Sequence, residues 1–267
     1  MSRNNKKQLV VFANCQGPAV CAAMRQNVPG FDEAYEVRHL VNWTHLLNDD
    51  EPVPEEALRS ADVLLYQPLQ EKHGRYCTDN VLRFVRPECV RVSMPYIYFS
   101  ALWPAYPAQG PAYVQYSPEP LVGSHSTFDV RERMARAGGG ALALYRANAL
   151  PFGLAERART SLAILREKEL HTDVKVADFV EANLRRLPLF DICNHPRPPV
   201  LVHCANQVLP RLGFEHIIPE DAVVKDYNDD KRWPICSAAC AELGLTYGPE
   251  EGADAFYETM FMNLGFF

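Results

Sequence analysis

The sequence predicts an α/β fold in which a mainly parallel sheet is flanked by helices and followed by a largely helical C-terminal half. Short apolar runs without polar alternation, such as Leu9 to Ala13 and Val63 to Tyr66, are typical of strands buried on both faces. Helical stretches separate these runs, and that alternation favours parallel pairing. From residue 141 to about 187, Arg, Glu, Leu and Ala recur at helical spacing.

The elements of the first half follow one another in a regular order. The first strand, 9–13, leads into a tight turn and then a helix over 19–26, and Pro18 suits the first turn of that helix. Further strands are predicted over 35–41, 63–66 and 90–94, with a short helix over 80–84.

The second half contains one helix with clear boundaries. Pro198 and Pro199 open a helix that runs over 200–212 and ends at Gly213. The preceding segment, 189–196, is predicted to be a loop. We expect Gly138-Gly139-Gly140 to be a flexible break in the chain.

We expect residues 1–267 to form a single α/β domain, because the length and the 48% apolar content suit one sizeable core. Its expected regions are a sheet-forming core over 8–100, a proline- and glycine-rich loop region over 104–140, a helical part with a histidine loop over 141–215, and a C-terminal extension over 216–267.

Charge and composition exclude several classes of protein. The net charge is −6 and the basic residues are dispersed, which argues against nucleic acid as a partner. The apolar run 9–13 is too short for a signal peptide or a membrane span, so we expect a cytoplasmic protein. The eight cysteines lack CxxC pairs, so we expect reduced thiols and no metal, with Cys236 and Cys240 as buried side chains.

Polar and aromatic clusters follow three of the predicted strands. They are Asn14-Cys15-Gln16, Gln67-Pro68-Leu69-Gln70 and Pro95-Tyr96-Ile97-Tyr98-Phe99. Ligands of parallel sheets bind at the carboxyl ends of the strands, so the sequence predicts a site where these clusters converge.

Cys15 and His195 are the candidate reactive residues. A thiol beside a helix N-terminus is favoured as thiolate, although a cysteine in a turn can also be a packing residue. His195 precedes Pro196, which restricts its backbone, and histidine is a natural general base near neutral pH. A loop histidine bonded to backbone is the alternative. Asp191 either orients the imidazole or caps a turn. His125 is a second candidate for the reactive histidine.

Other side chains have a functional and a structural interpretation. Gln67 and Gln70 can donate to an oxyanion or cap a turn, and Lys72, His73, Arg75 and Tyr76 can meet phosphates or form a solvated loop. Tyr96, Tyr98 and Phe99 form either a ligand wall or core. Ser161, Arg166 and Glu167 share a predicted helix, where Arg166 either reaches a site or pairs with an acid.

The motif Asn14-Cys15-Gln16-Gly17 after the first strand resembles the opening of the WcbI-like capsular polysaccharide biosynthesis proteins. The resemblance covers roughly residues 8–215. The motifs that continue it are Ala61-Asp62-Val63-Leu64 with Gln67-Pro68, Pro95-Tyr96-Ile97-Tyr98-Phe99, Ser161-Leu162 with Arg166-Glu167, Leu189-Phe190 with Asn194-His195-Pro196, and Leu212-Gly213.

The resemblance implies an acetyltransferase that binds coenzyme A and O-acetylates a sugar of capsular polysaccharide. It also implies an SGNH/flavodoxin-like core, with Cys15 where SGNH esterases carry serine. Asp191 lies one residue further from His195 than in the esterase pattern, which argues against a literal triad.

We therefore predict acetyl transfer from acetyl-coenzyme A to a sugar hydroxyl, with His195 as base on Cys15 or on the acceptor. The amides of Gln16 and Gln67 are expected to stabilise the oxyanion. The residues expected to bind the coenzyme are Asn14, Gly17, Gln70, Lys72, Arg75 and Tyr76, and those expected to bind the sugar are Tyr96, Tyr98, Phe99, Asn194 and Arg166. The alternatives are a thiol-type carbohydrate esterase or deacetylase, and a non-catalytic protein that binds coenzyme A or a glycan.

Overall fold

The computed structural model describes residues 6–42, 52–104, 135–225 and 232–263. They form two compact units, each drawn from separated stretches of the chain. The first unit takes in the described residues of Met1–Ile97, Leu165–Phe179 and Pro196–Tyr227, and the second takes in those of Tyr98–Ile164, Val180–His195 and Asn228–Phe267. The organisation as one domain with four regions stays a prediction.

The first unit contains a four-stranded, wholly parallel sheet, which confirms the predicted α/β class. Its order is β2-β1-β3-β4, and Val11 of β1 pairs with His39 of β2 on one side and with Leu65 of β3 on the other. The strands are β1 (Lys7–Ala13), β2 (Tyr35–Val41), β3 (Val63–Tyr66) and β4 (Val90–Ser93).

The described helices account for most of the remaining regular structure. In chain order they are α1 (Gln16–Asn27), α2 (Phe31–Ala34), α3 (Glu55–Ser60), α4 (Thr78–Leu82), α5 (Ala141–Arg146), α6 (Leu154–Glu169), α7 (Ala177–Asn183), α8 (Pro198–Leu212), α9 (Ser237–Leu243) and α10 (Ala253–Asn263). Two 3₁₀ helices cover Glu71–Tyr76 and Gly138–Gly140. None of these helices is both long and apolar enough to cross a membrane.

Strand β1 is buried on both faces, which explains its unbroken apolar run. Val10 and Phe12 belong to a core cluster with Leu58 of α3 and Val81 of α4. On the other face, α1 lies against β1 and packs on α8, which also contacts β4. Successive side chains of a strand point to opposite faces, so apolar residues are needed at every position.

The order of the sheet places a topological switch point between β1 and β3. The chain steps from β1 to β2 on one side and then crosses to β3 on the other. At such a point the connections leave in opposite directions and open a crevice at the carboxyl ends of the strands. Cys15 follows β1 and Gln67 follows β3, so both lie at this edge.

The second unit has an aromatic core. Tyr145, Phe152 and Phe261 pack together with ring centroids 5.5 to 6.2 Å apart. Arg157 is only 6% exposed and donates to the backbone carbonyls of Trp103, Pro104 and Phe152, so its buried guanidinium is hydrogen-bonded. The unit also contains β5 (Phe190–Ile192), which pairs with β6 (His195–Pro196).

The strands were predicted more accurately than the segments between 138 and 196. The helical stretch 141–187 is divided into α5, α6 and α7, and the predicted loop 189–196 holds the β5–β6 pair. Gly138–Gly140 forms a 3₁₀ turn that enters α5 directly, and the flexibility expected there stays a prediction. Of the predicted loop 104–140, residues 105–134 lie outside the described residues.

Candidate functional site

Cys15 occupies the turn between β1 and α1. It is the residue before the helix, it is partly exposed, and its backbone already has helical angles (φ −55°, ψ −19°). The turn is closed by a hydrogen bond from Gly17 N to Asn14 O (3.1 Å), and Ala19 N donates to Cys15 O (3.3 Å). The thiol therefore lies beside the positive end of α1, as the sequence predicted.

The side chain of Gln67 connects β3 to this turn. Its Oε1 accepts the backbone N–H of Asn14 (2.9 Å), and its Nε2 donates to Gln16 Oε1 (2.9 Å) and to Pro95 O (3.3 Å). One amide thus bonds the residue before Cys15, the residue after it, and the chain leaving β4. The polar clusters that follow β1, β3 and β4 do converge.

The side chain of Gln16 completes this amide network. Its Nε2 donates to Ile97 O (2.6 Å) and its Oε1 accepts from Ile97 N (3.0 Å), so it pairs with Ile97 as a neighbouring strand would. Asn14 Oδ1 accepts from Gln16 N (2.9 Å). Asn14 is thereby hydrogen-bonded within the turn. The sequence had predicted that it contacts the coenzyme.

The network gives Gln16 and Gln67 a different task from the oxyanion stabilisation that we predicted. Their exposed fractions are 0% and 2%, and the amide hydrogens described above are donated to protein oxygens. Breaking these bonds to serve a ligand would leave buried polar groups unsatisfied. Both residues position the turn that carries Cys15.

Gly17 is required by packing. A Cβ at this position would lie 2.5 Å from Ala13 Cβ and 2.7 Å from Val11 Cγ1, well inside van der Waals contact. Only glycine lets α1 approach β1 this closely. Gly17 thus has a structural role, and its predicted role in coenzyme binding stays a prediction.

His195 is almost fully buried, at 2% exposure, and its Nδ1 lies 2.8 Å from the side-chain oxygen of Asn194. An amide oxygen only accepts, so this contact is a hydrogen bond when Nδ1 carries a proton, and in the neutral tautomer of that kind Nε2 is the basic nitrogen. That tautomer suits a general base. Asn194, which was predicted to bind the sugar, orients the imidazole through this contact. The backbone carbonyl of Asp191 accepts a hydrogen bond from Trp233 N (2.9 Å).

Two other predicted residues of the second unit belong to its interior. Phe99 is fully buried and stacks on Phe190 with ring centroids 5.2 Å apart, so it is core rather than a ligand wall. Ser161 is 7% exposed and its hydroxyl lies 3.3 Å from that of Ser100. Tyr98 is partly exposed.

The predicted coenzyme cations lie on the exposed 3₁₀ helix after β3. Gln70, Lys72 and Arg75 are exposed, and the Arg75 guanidinium lies over the buried ring of Tyr76 at 5.6 Å. Burial, together with the neighbouring Lys72 ammonium, lowers the pKa of His73. Their assignment to coenzyme binding stays a prediction.

Tyr96 has a partner that the sequence analysis did not single out. The ammonium of Lys168, on the last turn of α6, lies 5.0 Å from the Tyr96 ring centroid and donates to Tyr96 O (3.4 Å). Arg166 forms an exposed ion pair with Asp178 (2.9 Å), and its assignment to sugar binding stays a prediction. His125 lies outside the described residues. In the part of the chain that the structure describes, no group of three metal-ligating side chains is close enough to hold a metal ion.

A protein-family model described as the polysaccharide biosynthesis enzyme WcbI matches residues 8–216, which is well over half of the chain. The chain belongs to the WcbI family. This confirms the resemblance inferred from the motifs over 8–215 and makes the protein a member of a family of polysaccharide biosynthesis enzymes.

A solved structure of WcbI shares 20% sequence identity with this WcbI-family chain. The match has a TM-score of 0.57 and covers 83% of this chain and 75% of that chain, which shows a common fold. That structure is described as the native protein without a disulfide bond between coenzyme A and one of its cysteines. No curated protein matches the chain.

Replacing Gln67 by methionine in this WcbI-family protein should lower the free energy of unfolding by about 1 to 3 kcal/mol, because the buried Asn14 N–H loses its hydrogen-bond acceptor. Urea unfolding measures the change. Gln26→Met is the matched control, since that exposed amide bonds the Lys225 backbone at the far end of α1, and it should shift stability by at most about 0.5 kcal/mol. Equal losses in both variants would contradict the positioning role.

Proposed function

We propose that this WcbI-family protein is a coenzyme A-dependent O-acetyltransferase that modifies a sugar of capsular polysaccharide, with Cys15 and His195 at its active site. The observation that carries the proposal is the partly exposed Cys15 at the switch point of the sheet, in a turn held by buried amides on both sides. Such edges bind ligands in open α/β sheets. The expected cytoplasmic setting keeps this thiol reduced.

The identity of the acyl donor is supported by the solved WcbI structure, whose description names coenzyme A and one cysteine as the partners of a disulfide bond that this form lacks. A cysteine that can approach the coenzyme's thiol is also placed to approach its thioester. The helix N-terminus beside Cys15 favours the thiolate, which is the nucleophilic form. These features fit an acyl donor at the strand edge.

The reaction can follow a covalent route with balanced steps. The Cys15 thiolate attacks the acetyl carbonyl, a new C–S bond forms, and the C–S bond to the coenzyme breaks to release its thiolate. The sugar hydroxyl then attacks the acetyl-Cys15 carbonyl while His195 Nε2 takes the hydroxyl proton. The Cys15 thiolate leaves, and the sugar carries the ester.

A direct route uses the same residues differently. His195 Nε2 removes the proton of the sugar hydroxyl, whose oxygen attacks the acetyl carbonyl of the donor without a covalent enzyme intermediate, and the C–S bond to the coenzyme breaks to release its thiolate. Both routes use the tautomer of His195 with its proton on Nδ1, where the Asn194 oxygen 2.8 Å away can accept it.

The decisive experiment is an acetyl-transfer assay with acetyl-coenzyme A and de-O-acetylated capsular glycan. We expect free coenzyme thiol and glycan-bound acetate to appear in equal amounts. Acetate released from a model ester without the coenzyme would favour the esterase alternative. Binding of the coenzyme without turnover of either substrate would favour a non-catalytic binding protein.

A further inference from the structure

The backbone N–H groups that directly follow Cys15 are already used within the turn. Gln16 N and Gly17 N both donate to oxygens of Asn14 (2.9 and 3.1 Å), and Pro18 has no N–H. The buried side-chain amides beside this turn donate to protein oxygens as well. The negative charge that develops on an acetyl oxygen during transfer must therefore be met by another donor.

The side chain of Asn14 supplies such a donor. Its Oδ1 accepts from Gln16 N, and because a backbone N–H can only donate, the other branch of the amide is the NH₂ group. Within the part of the chain that the structure describes, Asn14 Nδ2 forms no hydrogen bond. It is not a buried nitrogen without a partner, so it belongs to the 9% of Asn14 that solvent reaches.

The NH₂ group of Asn14 and the thiol of Cys15 belong to one small closed turn. The hydrogen bond from Gln16 N to Asn14 Oδ1 spans Cys15, and the two branches of an amide are close together, so Asn14 Nδ2 lies within about 5 Å of Gln16 N. That nitrogen is covalently bonded to the carbonyl carbon of Cys15. The partly exposed thiol and the NH₂ group are therefore separated by a distance that one acetyl group can bridge.

Three hydrogen bonds hold Asn14 in place. Its N–H donates to Gln67 Oε1 (2.9 Å), its carbonyl accepts from Gly17 N (3.1 Å), and its Oδ1 accepts from Gln16 N (2.9 Å). A donor that is fixed in advance needs no reorganisation when charge appears, and this makes such donors effective in catalysis. The amide network thus directs the NH₂ group as well as positioning the thiol.

We propose that Asn14 is a catalytic residue whose Nδ2 donates a hydrogen bond to the acetyl carbonyl oxygen while that oxygen carries negative charge. The assignment rests on the proposed function. When the thiolate or the sugar oxygen attacks the carbonyl carbon, the π electron pair moves onto the oxygen, and it returns when the C–S bond to the leaving thiolate breaks. Asn14 keeps both amide protons throughout, so the covalent and the direct route use it alike. It takes the part that the sequence predicted for Gln16 and Gln67.

The rates of two reactions at Cys15 test this assignment in the wild type, Asn14→Ser and Asn27→Ser. Serine also accepts a hydrogen bond at a helix start, so Asn14→Ser keeps a partner for Gln16 N but lacks the NH₂ group. Acetylation of Cys15 by 4-nitrophenyl acetate passes through an oxyanion, whereas alkylation by iodoacetamide does not. Asn14→Ser should slow acetylation by about 100-fold and leave alkylation within about twofold of the wild type. Mass spectrometry of the Cys15 peptide measures both rates.

Asn27→Ser is the matched control, since that amide donates to Ala23 O and Val223 O at the far end of α1, and it should change neither rate. Two results would overturn the assignment: equal acetylation rates in the wild type and Asn14→Ser, or equal slowing of acetylation and alkylation, which would indicate a damaged turn. Neither reaction uses coenzyme A or a glycan. The comparison therefore decides the role of Asn14 even if the acetyl-transfer assay yields no product, a result that would count against the proposed function alone.

Discussion

Replacing Cys15 by alanine should reduce acetyl transfer at least about a thousandfold, because the covalent route loses the atom that receives the acetyl group. The bonds that shape the turn belong to the backbone and to the side chains of Asn14, Gln16 and Gln67. The variant should therefore fold like the wild type. The measurements are the acetyl-transfer rate and the intact mass after exposure to acetyl-coenzyme A, where only proteins that retain Cys15 should gain one acetyl group.

Cys240→Ala is the matched control for this experiment. Cys240 is a partly exposed thiol on α9, in the second unit, and burial raises its pKa to about 11. Its removal should change neither the transfer rate nor the acetyl adduct. Substantial turnover in Cys15→Ala, with no adduct on the wild type, would exclude the covalent route and leave direct transfer with His195 as the base. Cys15→Ser should keep partial activity in that case.

Gly17→Ala should destabilise the protein by about 2 to 3 kcal/mol, since the new methyl group overlaps two side chains of β1. Alanine is the better helix former by about 1 kcal/mol, so the clash must exceed that gain. Ala13 Cβ is attached rigidly to its backbone and cannot rotate away. The helix must therefore lift from the strand, and the turn that holds Cys15 must move with it.

Thermal unfolding tests this prediction, with an expected loss in Tm of roughly 5 to 10 °C for a chain of this size. Gly140→Ala is the matched control, because φ there is −94° and no atom lies within 4 Å of the added Cβ. It should leave Tm within a few degrees of the wild type, as expected for a compatible position. If Gly17→Ala were as stable as Gly140→Ala, the close approach of α1 to β1 would not be the reason for glycine.

The amide network has a physical reason to consist of glutamine and asparagine. At the carboxyl edge of a parallel sheet the backbone groups leave the ladder, and buried ones still need partners. A side-chain amide offers a donor and an acceptor like those of a peptide group, so Gln16 can pair with Ile97 as a strand would. The neutral amides also add no charge to compete with the thiol.

The sequence by itself determined the parallel sheet, the position of the turn after β1 and the limits of α8. These depend on neighbouring residues: a strand buried on both faces must be apolar throughout, and Pro198 and Gly213 begin and end a helix through their own backbone preferences. The motifs around Cys15 and His195 carried enough local information to indicate the family correctly.

Only the tertiary structure decided what the polar residues at the strand ends do. The hydrogen-bond partners of the Gln16, Gln67 and Lys168 side chains described above are 28 to 81 residues away in the chain, so no local pattern could reveal them. Phe99 is core because it stacks on Phe190, and Gly17 is needed because α1 touches β1. Hydrogen bonds and steric contacts act over a few ångströms in space, and their partners are fixed only when the chain has folded.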